Sequence, residues 1–207
     1  MSRFQGALLI SFLLISIDQV IKVYIKTSMI EGEAFQLFGM SWFRIYFVEN
    51  EGMAFGWKLG GGDVGKLALS LFRTVAIVGI IWYIRQLVKR NAHKITTISV
   101  AFILAGALGN LIDSILYGVI FSDSRGRIAE FLPEGGGYSN YMYGNVVDMF
   151  SWSFFPPIFN FADACISVGV GLVILFRKKF VTEETTSKMP DRVLETNLEK
   201  ITKTEED

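Results

Sequence analysis

Apolar residues in this chain gather into four long runs separated by stretches of mixed character. Phe4 to Ile17 is almost wholly apolar, and its pattern continues past Asp18, Gln19 and Lys22 towards Tyr24. Leu67 to Val88 is broken by Arg73 and Arg85. Ile95 to Tyr117 has only Asp113 and the phenol of Tyr117 as ionisable groups, and Ile158 to Phe176 contains Asp163 but no Lys or Arg. A helix that crosses a hydrocarbon core of about 30 Å needs roughly 20 mostly apolar residues at about 1.5 Å each. The pattern therefore predicts four membrane-spanning helices. A soluble four-helix bundle would need a polar stripe on every helix, and the third and fourth runs lack one. A single Arg before the first run and no small-x-small pattern after it predict that this run is retained rather than cleaved.

Two segments lie between the spans, 26–66 and about 118–157. In the first, Phe35–Phe38, Trp42–Val48 and Met53–Leu59 read as short strands before a Gly60-Gly61-Gly62 turn, predicting a small sheet on the membrane surface. The second contains Asp123-Ser124-Arg125-Gly126-Arg127 and Pro133-Glu134-Gly135-Gly136-Gly137 and reads as a mobile flap. Basic residues cluster at Arg3, at Lys89, Arg90 and Lys94, and at Arg177-Lys178-Lys179. If the spans alternate, these sites share one side, which places both termini in the cytoplasm; Lys22 and Lys26 run against that bias. Residues 180–207 carry eight acidic and four basic side chains, and read as a mostly disordered cytoplasmic tail with a short helix near Arg192–Ile201. The fold class is thus a polytopic α-helical membrane protein, with a membrane domain over 1–179.

Composition agrees with this picture. The chain is 51% hydrophobic and 19% charged, where a soluble domain carries about 25% charge. Lys plus Arg balance Asp plus Glu, so nothing in the charge supports a nucleic-acid partner. One cysteine, Cys165, rules out an internal disulfide and a Cys-rich metal site.

Polar groups at the outer ends of the spans carry the chemistry, because a charge in hydrocarbon is costly unless paired or wetted. Asp18 and Lys22 stand four apart on one helix face and can pair. Asn110 and Asp113 repeat the spacing of Asn160 and Asp163, and Asp148 precedes the fourth run. The only histidine, His93, lies in the opposite loop, so a Ser/His or Cys/His nucleophile is not available. Two carboxylates remain, Asp148 and Asp163. Held close, they would share a proton, one acting on a water and the other on the leaving group. Each Asp alone could equally be a helix cap or an interhelical hydrogen-bond partner. Asn50 reads either as a turn between strands or as a carboxamide that holds a substrate or carboxylate, with Gly52 leaving room for a chain to approach.

These stretches resemble the lipoprotein signal peptidase (signal peptidase II) family: Asp18-Gln19-Val20-Ile21-Lys22, Asn50-Glu51-Gly52-Met53-Ala54-Phe55, Gly106-Ala107-Leu108-Gly109-Asn110-Leu111-Ile112-Asp113, Val146-Val147-Asp148-Met149-Phe150 and Phe159-Asn160-Phe161-Ala162-Asp163, in the family's order. The resemblance implies a monomeric aspartic peptidase of the bacterial inner membrane, with four transmembrane helices, an extracytoplasmic β-cradle and no cofactor or metal. It implies cleavage of diacylglyceryl-modified prolipoproteins before the lipidated cysteine, and inhibition by globomycin-type cyclic peptides. The catalytic aspartates match Asp148 and Asp163, and Asp18, Lys22, Asn50, Gly52, Asn110, Asp113 and Asn160 fall on supporting positions. Two departures stand out. The family carries an arginine directly after the third-helix aspartate, where this chain has Ser114; Arg125 or Arg127, folding back from the outer loop, would be the substitute. The family also has a short link where this chain has the insertion Gly118–Gly144. From the residues alone, a metal-dependent phosphotransferase acting on lipid head groups and a small ion-coupled transporter are the alternatives.

Overall fold

The computed structural model describes residues 2–50 and 62–176. The expected strand Met53–Leu59, Gly52, the basic cluster Arg177-Lys178-Lys179 and the tail 180–207 lie outside them. Among the described residues, three helices are long and apolar enough to cross a membrane: α1 (Arg3–Lys26), α2 (Gly62–Lys89) and the run that starts with α3 (Lys94–Ile112). That run passes through a π-helical turn, Asp113–Tyr117, into the short α4 (Gly118–Ile120). A shorter apolar helix, α5 (Phe161–Leu175), follows the sheet. The fourth apolar run is therefore not one helix from Ile158, because Ile158 and Phe159 belong to a strand.

The third helix is the axis of the bundle. Its apolar window is 61% buried, against 22% for α1 and 17% for α2, and it packs on α1, α2 and α5. Phe12, Val20, Phe72, Val75 and Trp82 stay exposed on the outer faces of α1 and α2. Such a belt is costly in water and suits lipid. Ends are capped in ordinary ways. Ser2 and Gln5 form a capping box on α1, and His93 Nδ1 accepts from Ile95 N at 3.2 Å to start α3. Arg3 donates to Ala92 O at 3.2 Å, and Arg85 lies 5.3 Å from the Phe4 ring. The basic residues of the α1 start and the α2–α3 loop thus share one end of the bundle.

At the other end, the described residues form a four-stranded antiparallel sheet in the order β1 (Ala34–Gln36), β2 (Phe43–Asn50), β3 (Val146–Trp152), β4 (Phe155–Phe159). The first expected strand stops short, because Phe38 adopts φ 52° in a 3₁₀ turn over Leu37–Gly39. The β3–β4 hairpin lies in the segment read from sequence as a flap. Its central partner is β2, with Val48 opposite Asp148 and Asn50 opposite Val146. Pro156 and Pro157 cannot donate to a ladder, which suits β4 to its place at one edge of this order, where its pairing is reduced to Phe150–Phe159 and Trp152–Phe155.

The insertion is docked rather than loose. Gly144 N donates to Ser114 O at 2.9 Å and Met142 N to Ile115 O at 3.4 Å, both carbonyls of the π turn. Phe121 is fully buried and pairs with Phe131 across an isolated bridge. Lys26 secures the whole: its ammonium meets the Glu49 carboxylate, donates to Ser124 Oγ at 2.9 Å and lies 4.9 Å from the Tyr138 ring.

Close helix approach depends on Gly106, where a Cβ would fall 2.2 Å from Ala162 O and 2.5 Å from Ile166 Cγ1. We expect Gly106→Ala to force α3 and α5 apart and cost about 1–3 kcal/mol, read as a lower unfolding temperature in detergent. Gly79→Ala in α2, with nothing within 4 Å, is expected to leave it unchanged or raise it.

Candidate active site

Where the bundle meets the sheet, polar side chains from α1, α3, β2, β3 and α5 form one hydrogen-bonded lattice. Its centre is Lys22, wholly buried. An ammonium has three protons, and all three are used: on Asp18 Oδ2 at 2.9 Å, Asp113 Oδ2 at 2.8 Å and Asn110 Oδ1 at 2.9 Å. Asp18 continues to α5, its Oδ1 accepting from Ala162 N at 2.8 Å and so satisfying one of that helix's orphan donors. Asp113 also accepts from Val147 N at 3.3 Å, fixing β3 one residue before Asp148. Gln19 stitches α1 to α3 by donating to Asp113 Oδ1 at 2.9 Å and Gly109 O at 3.2 Å, and accepts from Tyr117 Oη at 3.1 Å.

Carboxamides carry the lattice to the two remaining aspartates. Asn110 Nδ2 donates to Asp163 Oδ1 at 2.8 Å. Asn160, the N-cap of α5, accepts from Asp163 N at 2.9 Å, which sets the orientation of its amide. Its Nδ2 then donates to Asn110 Oδ1 at 3.0 Å and to Asp148 Oδ1 at 2.7 Å. Asn50 Nδ2 reaches the other oxygen of Asp148 at 3.1 Å. Asn50 is thus the last residue of β2 and a partner of Asp148, not a free turn. Burial first, and then the neighbouring Asp163 charge, push the Asp148 carboxyl up to about 7; the amide bonds from Asn50 and Asn160 pull the other way.

Asp148 and Asp163 open on one cleft of about 1040 Å³, which Asn50, Asn110 and Arg73 also line. Aromatic side chains line it too: Trp152 stands edge-on to Phe159 at 5.0 Å and stacks on Phe154 at 5.4 Å. A largely apolar cleft lined by two carboxyls can bind an extended apolar chain, and a carboxyl pair can activate a water against it.

Two sequence expectations need correction. Arg125 and Arg127 do not return to the cleft. Ser122 and Glu130 pair at 3.0 Å, and Glu31 N donates to Ser124 O at 3.1 Å, so residues 123–127 form an outward turn. Arg125 is 77% exposed beside Asp123 and Glu31, and Arg127 donates to Asp123 O at 3.3 Å. Arg73, noticed in the sequence only as a break in an apolar run, is the arginine at the cleft. Its presence inside a spanning helix was the available signal. Lys26, noted only as an exception to the charge bias, is likewise a buried anchor.

Asp148 from a strand and Asp163 from a helix N-terminus thus share one cleft at the end of an apolar helical bundle. The profile of the signal peptidase (SPase) II family matches residues 10–177. Among similar curated proteins, a lipoprotein signal peptidase of Porphyromonas gingivalis is 46% identical over 183 residues, covering 79% of this chain and 78% of its own length. One from Amoebophilus asiaticus is 34% identical, covering 95% of this chain and 89% of its own. A solved bacterial membrane enzyme superposes with a TM-score of 0.59 at 25% identity, over 83% of this chain and 91% of its own. The chain belongs to the signal peptidase II family, and it is an aspartic peptidase.

An infrared titration tests the electrostatics of the pair. With Asp148 raised to about 7, a protonated-carboxyl band is expected below neutral pH, lost as the pH rises through about 7 and absent in Asp148→Asn. Asn50→Leu removes a donor that favours the charged form, so the loss is expected to move to higher pH.

Proposed function

We propose that this chain removes the signal peptide of diacylglyceryl-modified prolipoproteins, cutting before the lipidated cysteine, with Asp148 and Asp163 as the catalytic dyad. One observation supports this most strongly: the Asn160 amide accepts from Asp163 N and donates to Asp148 Oδ1, and the two aspartates line one cleft. The pair shares a proton. One aspartate takes a proton from water as its oxygen bonds to the scissile carbonyl carbon. A proton from the pair then passes to the leaving nitrogen as the C–N bond breaks, freeing the signal peptide's carboxyl end and the amine of the cysteine. Asn50, Asn110 and Asn160 hold the carboxyls, and Asp18, Lys22 and Asp113 hold the elements that carry them.

In this reading α5 is the fourth transmembrane helix, both termini are cytoplasmic, and the sheet is a cradle on the outer face of the bacterial inner membrane. The enzyme works as a monomer and without a cofactor. The substrate's acyl chains stay in lipid beside the bundle while its peptide lies along the Trp152–Phe159 wall. Globomycin-type cyclic peptides occupy the same trough. Among the described residues no three His, Cys, Asp or Glu side chains converge as a metal-holding group; Asp18 and Asp113 are bound to Lys22.

Purified enzyme in detergent, given a diacylglyceryl-modified prolipoprotein, is expected to yield a product beginning at the lipidated cysteine, identified by mass spectrometry. Asp148→Asn and Asp163→Asn should each lower kcat by at least about 10²–10⁴-fold, and a chelator should change nothing. Sensitivity to the chelator, or full activity in either variant, contradicts the assignment.

A further inference from the structure

Arg73 and Arg85 both interrupt the apolar face of α2, yet their surroundings differ. Arg85 sits over Phe4 at the basic end of the bundle. Arg73 is half-buried at the cleft, where its Nη1 donates to Ser114 Oγ at 2.9 Å. Ser114 Oγ in turn donates a hydrogen bond to Asn110 O at 3.0 Å, the residue whose side chain holds Asp163. A guanidinium inside a spanning helix is costly to keep, so its placement at a cleft calls for a function. Lys22, the other cation nearby, spends its three protons within the lattice and does not line the cleft. Among the described residues, Arg73 is the one Lys or Arg that does.

We propose that Arg73 is a substrate-binding residue of the peptidase: its guanidinium hydrogen-bonds a main-chain carbonyl of the bound prolipoprotein beside the scissile bond, and Ser114 sets its angle. Ser114 takes the place where the family resemblance leads one to expect an arginine; here the small hydroxyl makes room for, and anchors, an arginine supplied by α2. The planar fork of donors suits an extended peptide backbone, whereas an ammonium would offer a point charge without fixed direction. This inference rests on the dyad reading and names a further contact for the same site.

The test is steady-state cleavage of a diacylglyceryl-modified prolipoprotein peptide, with kcat and KM read separately and thermal unfolding measured alongside. Arg73→Ala is expected to lower kcat/KM by about 10–100-fold, and Arg73→Lys to recover only part of it. Ser114→Ala keeps the charge but frees it, and is expected to raise KM by about 3–10-fold with kcat and unfolding temperature unchanged. The exchange variant Arg73→Ser/Ser114→Arg returns a guanidinium to the cleft from the facing helix and should regain most of the lost activity. Wild-type kinetics in Arg73→Ala overturns the proposal. So does a loss that follows unfolding temperature through the series and is not regained on exchange. Asp148→Asn in the same assay tests the dyad by itself: its inactivity beside a fully active Arg73→Ala would remove Arg73 and leave the dyad standing.

Discussion

One buried ammonium organises this molecule. Lys22 offers three protons to three acceptors on two helices, and each acceptor leads elsewhere in the fold. Through Asp18 it reaches the first turn of α5, through Asp113 the start of β3, and through Asn110 the carboxyl of Asp163. Desolvating a charge of this kind is repaid only when every donor and acceptor is matched. The matching fixes where α5 and β3 sit, and those two elements carry Asp163 and Asp148. Stability and active-site geometry are therefore one problem in this chain.

Asp148 and Asp163 come from different secondary structures, a strand and the N-terminal turn of a helix, and Asn160 joins them. Carboxamides suit that task because an amide offers both a donor and an acceptor without adding charge. A cationic bridge would hold both carboxyls ionised; amides leave the pair free to keep a proton. Burial does the rest for Asp148. The insertion adds a second anchor, Lys26 with Glu49, Ser124 and the Tyr138 ring, which ties the outer segment to the ends of α1 and β2.

How much of this was legible beforehand follows from how local each signal is. Helical runs and the polar groups at their outer ends are local, and Asp18, Lys22, Asn110, Asp113, Asn160 and Asp163 stood out against an apolar background. β3 did not. Val146 to Met149 are all buried, so the strand shows no alternation, and its partner β2 lies far away along the chain. The apolar content of β4 merged with the helix that follows it. Arg125 and Arg127 were the nearest arginines to the gap at Ser114 in sequence, but the hairpin turns them outward. Arg73 reaches that gap through helix packing, which no spacing rule reports.

Thermal unfolding in detergent of Lys22→Met, compared with Lys22→Met/Asp18→Asn/Asp113→Asn, tests the central role of the ammonium most directly. Removing the cation alone strands two buried carboxylates and is expected to cost about 3–5 kcal/mol. Neutralising both in the triple variant should return most of that loss. A Lys22→Met protein as stable as the wild type would contradict it.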